Sequence, residues 1–254
     1  MCLANMTDEE RFEYDKTETY ITEHYVFHYQ KGSLAEKEIQ IISETQEAAF
    51  SKICSALNVV YPERINYYFT DSPKAIGHAV WNEDSPCNGV ALCGRNKIYA
   101  VYTENIKCIG SHEDTHLISH LSINYPESDF VVEGLAMSFD GLWWGVSNET
   151  WVSYYKAKHP DLSVKALFDN DTFAEKSCVI TYPIAGAFTK FLIDTFGIER
   201  YLDFYKYDGC EYDEAVRTIF GNSLSELEIS FWQSMKAVAY DATMLEKMLI
   251  DEGF

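Results

Sequence analysis

Two histidines four residues apart, His112 and His116, with Glu113 directly after the first, form an H-E-x-x-H pattern in a stretch that reads as a helix over residues 104–121. Four residues make just over one helical turn, so both imidazoles fall on one face, about 6 Å apart along the axis. That spacing lets two ring nitrogens share one metal ion. Glu113 sits about 100° round the helix from His112, where its carboxylate reaches a metal-bound water without becoming a ligand. The alternative for such a pattern is a polar stripe on a surface helix. Against it stands Glu133, one carboxylate in the otherwise apolar run Phe130-Val131-Val132-Glu133-Gly134-Leu135-Ala136. A carboxylate there is costly to bury unless a cation pairs with it. Two His and one Glu form the three-ligand set of a catalytic zinc site with one position left for water.

The metal helix needs a scaffold on its N-terminal side, and the chain reads as one. Residues 20–29 alternate bulky and polar side chains as a half-buried strand, and residues 34–57 carry Ile39, Ile42, Ala49, Ile53 and Leu57 at helical spacing. Residues 64–70 read as a second strand, and Ser72-Pro73 as a helix start. Residues 88–93 and 97–102 are short apolar runs split by Gly94-Arg95-Asn96, a hairpin leading into the metal helix. Beyond His116 the pattern turns helical, near residues 128–140, 148–157, 183–196, 199–206, 212–220 and 223–240. Pro183 and Gly197 bracket one of these helices, and Ser223-Leu224-Ser225-Glu226 is a capping box opening another. Strands followed by helices predict an α+β fold, with a β-sheet lobe over residues 20–122 and a helical lobe over 123–254, behind a loose arm at residues 1–19. The cleft is expected between the lobes, floored by the helices of His112 and Glu133.

The segments His112-Glu113-x-Thr115-His116 and Glu133-Gly134-Leu135-Ala136, with Tyr182-Pro183-Ile184-Ala185-Gly186 further on, resemble the gluzincin metallopeptidases. The similarity points to their peptidase MA-like members, related to the catalytic domains of thermolysin and zinc aminopeptidases. It covers about residues 20–235 and is strongest at the two metal segments. Asp114 stands where that family usually has an apolar or aromatic residue. The resemblance implies a zincin-like fold, a Zn2+ cofactor held by His112, His116 and Glu133, Glu113 as general base, and Tyr182 as donor to the oxyanion. It also implies that an edge strand, here residues 88–93, pairs with an extended substrate; an ordinary structural hairpin is the other reading.

Several neighbours invite a role. His120 continues the stripe but lies too far along the axis to ligate with His116. A metzincin would need His six residues past His116, where Ser122 stands. His159 is an alternative oxyanion donor or a surface residue. Asp140 shares a face with Glu133, to orient a ligand or to be solvated before Gly141. Trp143, Trp144 and Trp151 line a substrate pocket or pack the core.

Composition narrows the classes. The chain has 254 residues, 47% of them hydrophobic, enough for one large domain or two lobes. Forty acidic against 20 basic residues give a net charge of −20, which repels phosphate backbones and disfavours a nucleic-acid role. No 18-residue apolar run predicts a membrane span, and the first ten residues carry no secretory signal. Seven cysteines, odd in number and without C-x-x-C spacing, suit free thiols in a cytoplasmic protein. A Cys87–Cys93 bridge, in a secreted or periplasmic protein whose signal was removed, is the alternative.

Three functions follow. The first is a zinc metallopeptidase acting on a peptide or protein, endo- or aminopeptidase undecided; the second a zinc hydrolase of another amide; the third an inert binding module on the same fold. Glu113 favours an enzyme, since a relic has no need of the base. The oligomeric state is not legible.

Overall fold

The computed structural model describes residues 6–254, which form an α+β fold and fall into two compact units, one ending at Ile123 and the other spanning Asn124–Phe254. The first unit opens with α1 (Asp8–Tyr14), β1 (Glu18–Ile21), β2 (Tyr25–Tyr29), α2 (Leu34–Lys37) and α3 (Ile39–Leu57). It continues with β3 (Ile65–Thr70), α4 (Pro73–Trp81), β4 (Gly89–Leu92), β5 (Lys97–Val101) and α5 (Ser111–Ser122). The sheet order is β1-β2-β3-β5-β4: three central parallel strands, β2, β3 and β5, flanked by antiparallel edges.

Alternation along the strands gives the sheet two apolar faces. Tyr25, Phe27, Tyr67 and Phe69 stack on one face, where Tyr25 meets Phe50 of α3 at 6.0 Å between ring centroids. Tyr68, Tyr99 and Val101 point the other way and pack on Phe12 of α1 and Ile76 of α4. Burial on both faces explains why the central strands are rich in aromatics rather than cleanly amphipathic.

Four expectations change in the first unit. The loose arm at residues 1–19 is ordered where it is described: α1 has a full capping box between Thr7 and Glu10. Phe12 packs 4.6 Å from the Tyr99 ring, and Glu13 accepts from the Tyr99 hydroxyl at 2.5 Å. Residues 1–5 lie outside the described residues. The single strand at residues 20–29 is a hairpin, turned where Thr22 N–H donates to the Tyr25 carbonyl and Glu47 accepts from His24 N–H. The helix at 34–57 breaks at Glu38, whose carboxylate instead accepts from Tyr102 Oη and Lys107 Nζ, both at 2.6 Å.

The helix of His112 and His116 starts at Ser111, seven residues later than the periodicity suggests. Residues before it are held by a bridge between Tyr102 and Lys107, and Gly110 takes φ 121°, ψ −147°, a conformation that favours glycine.

The second unit contains α6 (Asp129–Asp140), β6 (Leu142–Trp143), β7 (Val146–Ser147), α7 (Asn148–Lys158) and α8 (Asn170–Glu175). Then come α9 (Cys178–Phe196), α10 (Ile198–Tyr205), α11 (Tyr212–Phe220), α12 (Leu224–Met235) and α13 (Ala242–Asp251). The capping box of Ser223 and Glu226 opens α12, which ends at Met235 rather than 240 and is followed by a helix the periodicity did not separate. α9 begins at Cys178, capped by Ser177, so Pro183 lies inside it instead of at its start. One internal hydrogen bond is lost there, to the Val179 carbonyl. Among the described residues no helix is long and apolar enough to cross a membrane.

Candidate metal centre

α5 carries His112 and His116 with their Nε2 atoms 3.2 Å apart and their rings nearly perpendicular, 4.8 Å between centroids. Two nitrogens bound tetrahedrally at zinc, about 2.0–2.1 Å from it, stand about 3.4 Å apart. The histidine pair therefore has the spacing that one ion requires.

The start of α5 is fixed by α3. Gln46 is fully buried on the apolar stripe of α3, and its side-chain amide grips Gly110: Oε1 accepts from Gly110 N–H at 2.6 Å and Nε2 donates to the Gly110 carbonyl at 3.2 Å. The same Nε2 lies 3.0 Å from Asp114 Oδ2, which also accepts from the Tyr25 hydroxyl. Asp114 points away from solvent entirely. Burial pushes its carboxyl up to about 8, with the charges of Glu113 and Glu47 adding to the rise while the Tyr25 and Gln46 hydrogen bonds oppose it. The carboxyl that departs from the family pattern is thus a buried tie to α3 and β2. Burial, first, and the facing Asp114 hold the Tyr25 hydroxyl well above the usual tyrosine range, so it remains a donor.

Glu113 is placed by the edge strand. A Cβ added at Gly89 of β4 would stand 2.6 Å from Glu113 Oε1, so the carboxylate packs directly against the edge strand there. Two thiols sense the same charge: burial, and then Glu113, raise Cys87 and Cys93 to about 11. Cys87 and Cys93 are not bridged; Cys87 S–H donates to the Gly89 carbonyl at 2.9 Å and Cys93 to the His116 carbonyl at 3.6 Å.

Glu133 lies in the second turn of α6. That helix is anchored at its start, where Tyr212 Oη accepts from Ser128 N–H at 2.8 Å and Ser128 Oγ donates to the Phe168 carbonyl at 3.0 Å. Next to Glu133, Gly134 lets α9 come close: a Cβ there would meet the Ala185 carbonyl oxygen at 3.0 Å. A Cβ at Gly186 would likewise meet Met137 Cβ and Asn148 Nδ2, each at 2.6 Å. The glycines of the Glu133-Gly134 and Ala185-Gly186 segments are therefore paired spacers between two helices. Their effect is to fix the backbone that carries Glu133. Burial, and then Glu133, raise the carboxyl of Asp129 one turn earlier.

His112, His116 and Glu133 come together as a group whose candidate ligand atoms all lie within 4.8 Å of one another, each side chain partly buried. The donor set fits zinc: two imidazoles and one carboxylate, with Glu113, the residue after His112, left outside it. His120 and Asp140 are not in this group. Tyr182 lies in α9 with its ring 5.8 Å from Trp143 and 6.0 Å from Phe173. His159 is the exposed C-cap of α7. Trp151 is core, fully buried and donating to the Trp143 carbonyl at 2.9 Å, whereas Trp143 and Trp144 are only partly covered.

Sequence reasoning missed Gln46, Tyr25, Gly89 and the role of Asp114. Gln46 had a signal: it falls in register with Ile42, Ala49, Phe50 and Ile53, where an amide is out of place unless it has a specific partner. Asp114 shows in the sequence only as a departure from the family pattern, and Tyr25 and Gly89 carry no signal because their partners are remote in sequence. No family model matches the chain, and comparison with curated proteins finds no match.

Proposed function

We propose that the chain is a zinc-dependent metallopeptidase with a zincin-like arrangement, hydrolysing peptide bonds in a reducing compartment. The observation that carries this reading is the grouping of His112, His116 and Glu133 beside Glu113. Zinc bound there supplies a Lewis acid that acidifies a water and polarises the scissile carbonyl. Glu113, held under Gly89, takes the proton of the attacking water and hands it to the departing amine nitrogen, one carboxylate serving as base and then acid. Gln46 and Asp114 keep α5 at the rotation that presents both imidazoles together. β4, at the sheet edge, offers main-chain groups to an extended peptide. The odd number of cysteines without C-x-x-C spacing is what supports the reducing compartment.

Elemental analysis of protein purified without added metal tests the centre, with about one zinc per chain expected. Less than about a tenth of an equivalent of any transition metal, with no uptake on zinc addition, removes the site. A peptide-library digest of the zinc-loaded protein then separates peptidase from amidase and from an inert module. Tyr182 is the proposed oxyanion donor. Tyr182→Phe keeps the ring that packs on Trp143 and Phe173, so kcat is expected to fall about 10²-fold with zinc content unchanged. A lowered melting temperature with unaltered kcat would make it a packing residue and move the donor role elsewhere.

A further inference from the structure

β4 lies beside the base, with Gly89 against the Glu113 carboxylate, yet by itself the strand is weakly held. It has four residues, none of them fully buried, and a single neighbouring strand, β5. Gly89 pairs with Ala100, Val90 with Tyr99, Ala91 with Ile98 and Leu92 with Lys97, and just outside that ladder Val101 N–H donates to the Asn88 carbonyl at 2.8 Å. Alternation along an antiparallel pair then puts Val90 and Leu92 in hydrogen-bonded pairs and turns the main-chain groups of Gly89 and Ala91 to the open edge.

What steadies β4 comes from α1. Glu13 Oε1 accepts from Tyr99 Oη and from Lys97 Nζ, both at 2.5 Å. Those two residues are the β5 partners of Val90 and Leu92. The side chains of Val90 and Leu92 in turn pack against the cluster that Phe12, next to Glu13, builds with Tyr99 and Ile76. One turn back, Glu9 pairs with Arg95 in the link between the strands and accepts from Tyr99 Oη at 3.1 Å. α1 thus holds the hairpin through one apolar side chain and through two carboxylates at i, i+4 spacing on one face.

We propose that Glu13 is a positioning residue for the substrate-binding edge. Held by Glu13 and Phe12, β4 presents the main-chain groups of Gly89 and Ala91 as a fixed template for an extended peptide. A substrate long enough to lie along β4 gains binding that a minimal one does not. The inference rests on the metallopeptidase reading. Glu13 acts through β5 and β4 and is not among the metal ligands.

The test takes a bond cleaved in the peptide-library digest and presents it in a blocked dipeptide and in a peptide of about eight residues. For zinc-loaded Glu13→Ala, KM on the long peptide is expected to rise about 10-fold, with kcat, and KM on the dipeptide, within about 3-fold of the parent. Amide hydrogen exchange at Val90 and Leu92 is expected to be about 10-fold faster, with zinc content unchanged. Glu13→Gln keeps an acceptor for Tyr99 and Lys97 and is expected to stay within about 3-fold of the parent on both substrates. Tyr99→Phe, which removes the hydroxyl and keeps the ring, is expected to move the same readouts in the same direction as Glu13→Ala, and it decides the matter if Glu13→Ala does not fold. An unchanged KM on the long peptide, equal KM shifts on both substrates, or unchanged exchange at β4 overturns the proposal and leaves α1 as packing, with the metallopeptidase reading standing. No cleavage of any peptide by the parent removes that reading and this inference with it.

Discussion

Glu113→Gln is expected to retain zinc and fold while losing about 10²–10⁴-fold in kcat. The amide occupies the carboxylate's volume, so the packing against Gly89 is preserved and what is removed is the negative charge and the ability to accept a proton. The ligand set is untouched, because Glu113 stands outside the group formed by His112, His116 and Glu133. Measuring kcat and zinc content on one preparation separates loss of the base from loss of the metal. Cleavage at the parent rate would assign the base to another residue.

The second large effect concerns stability against pH. The folded-state pKa of Asp114 is raised, to about 8 from an ordinary 3.8, by burial above all. A carboxyl raised in this way contributes stability that is complete below its unfolded pKa and is lost as pH rises through the folded one. The window therefore runs from about pH 4 to about pH 8. At about 1.4 kcal/mol per unit the loss is of order 5 kcal/mol, comparable with the whole stability of a typical domain. Asp114→Asn keeps an acceptor for Tyr25 and Gln46 but has no proton to lose. In chelator-treated protein, urea midpoints at pH 5 and pH 8.5 should differ widely for the parent and far less for the variant. Parallel pH profiles for the two proteins would show that Asp114 does not titrate in this window.

The legible parts of the sequence were those whose cause is local. The i, i+4 histidines, the Ser72 and Ser223 caps and the hairpin between β4 and β5 each depend on neighbours within a few residues, and each was placed from pattern alone. α1 looks like a loose arm in sequence because its seven residues bury only Phe12, and the rings that receive it, Tyr68 and Tyr99, come much later in the chain. The hairpin of β1 and β2 was hidden because the residues that turn it, Thr22 to His24, include neither Gly nor Pro, and its stop is supplied by Glu47 from α3. Asp114 was visible as an anomaly but not as a tie. Its partners lie 68 and 89 residues away, a separation that no periodicity encodes.

That separation has a bearing on how the centre comes into being. The grip of Gln46 on Gly110 closes a loop of 64 residues, and the central strands between which the chain passes are parallel and themselves non-local. A peptide of α5 alone would present two imidazoles and nothing to aim them. The ligand face is thus an inheritance from the sheet and from α3, so the imidazoles acquire their bearing only when the most distant contacts of the first unit have closed. Damage to the remote side of α3 is then felt first as a metal helix that has lost its bearing, with every ligand still in place.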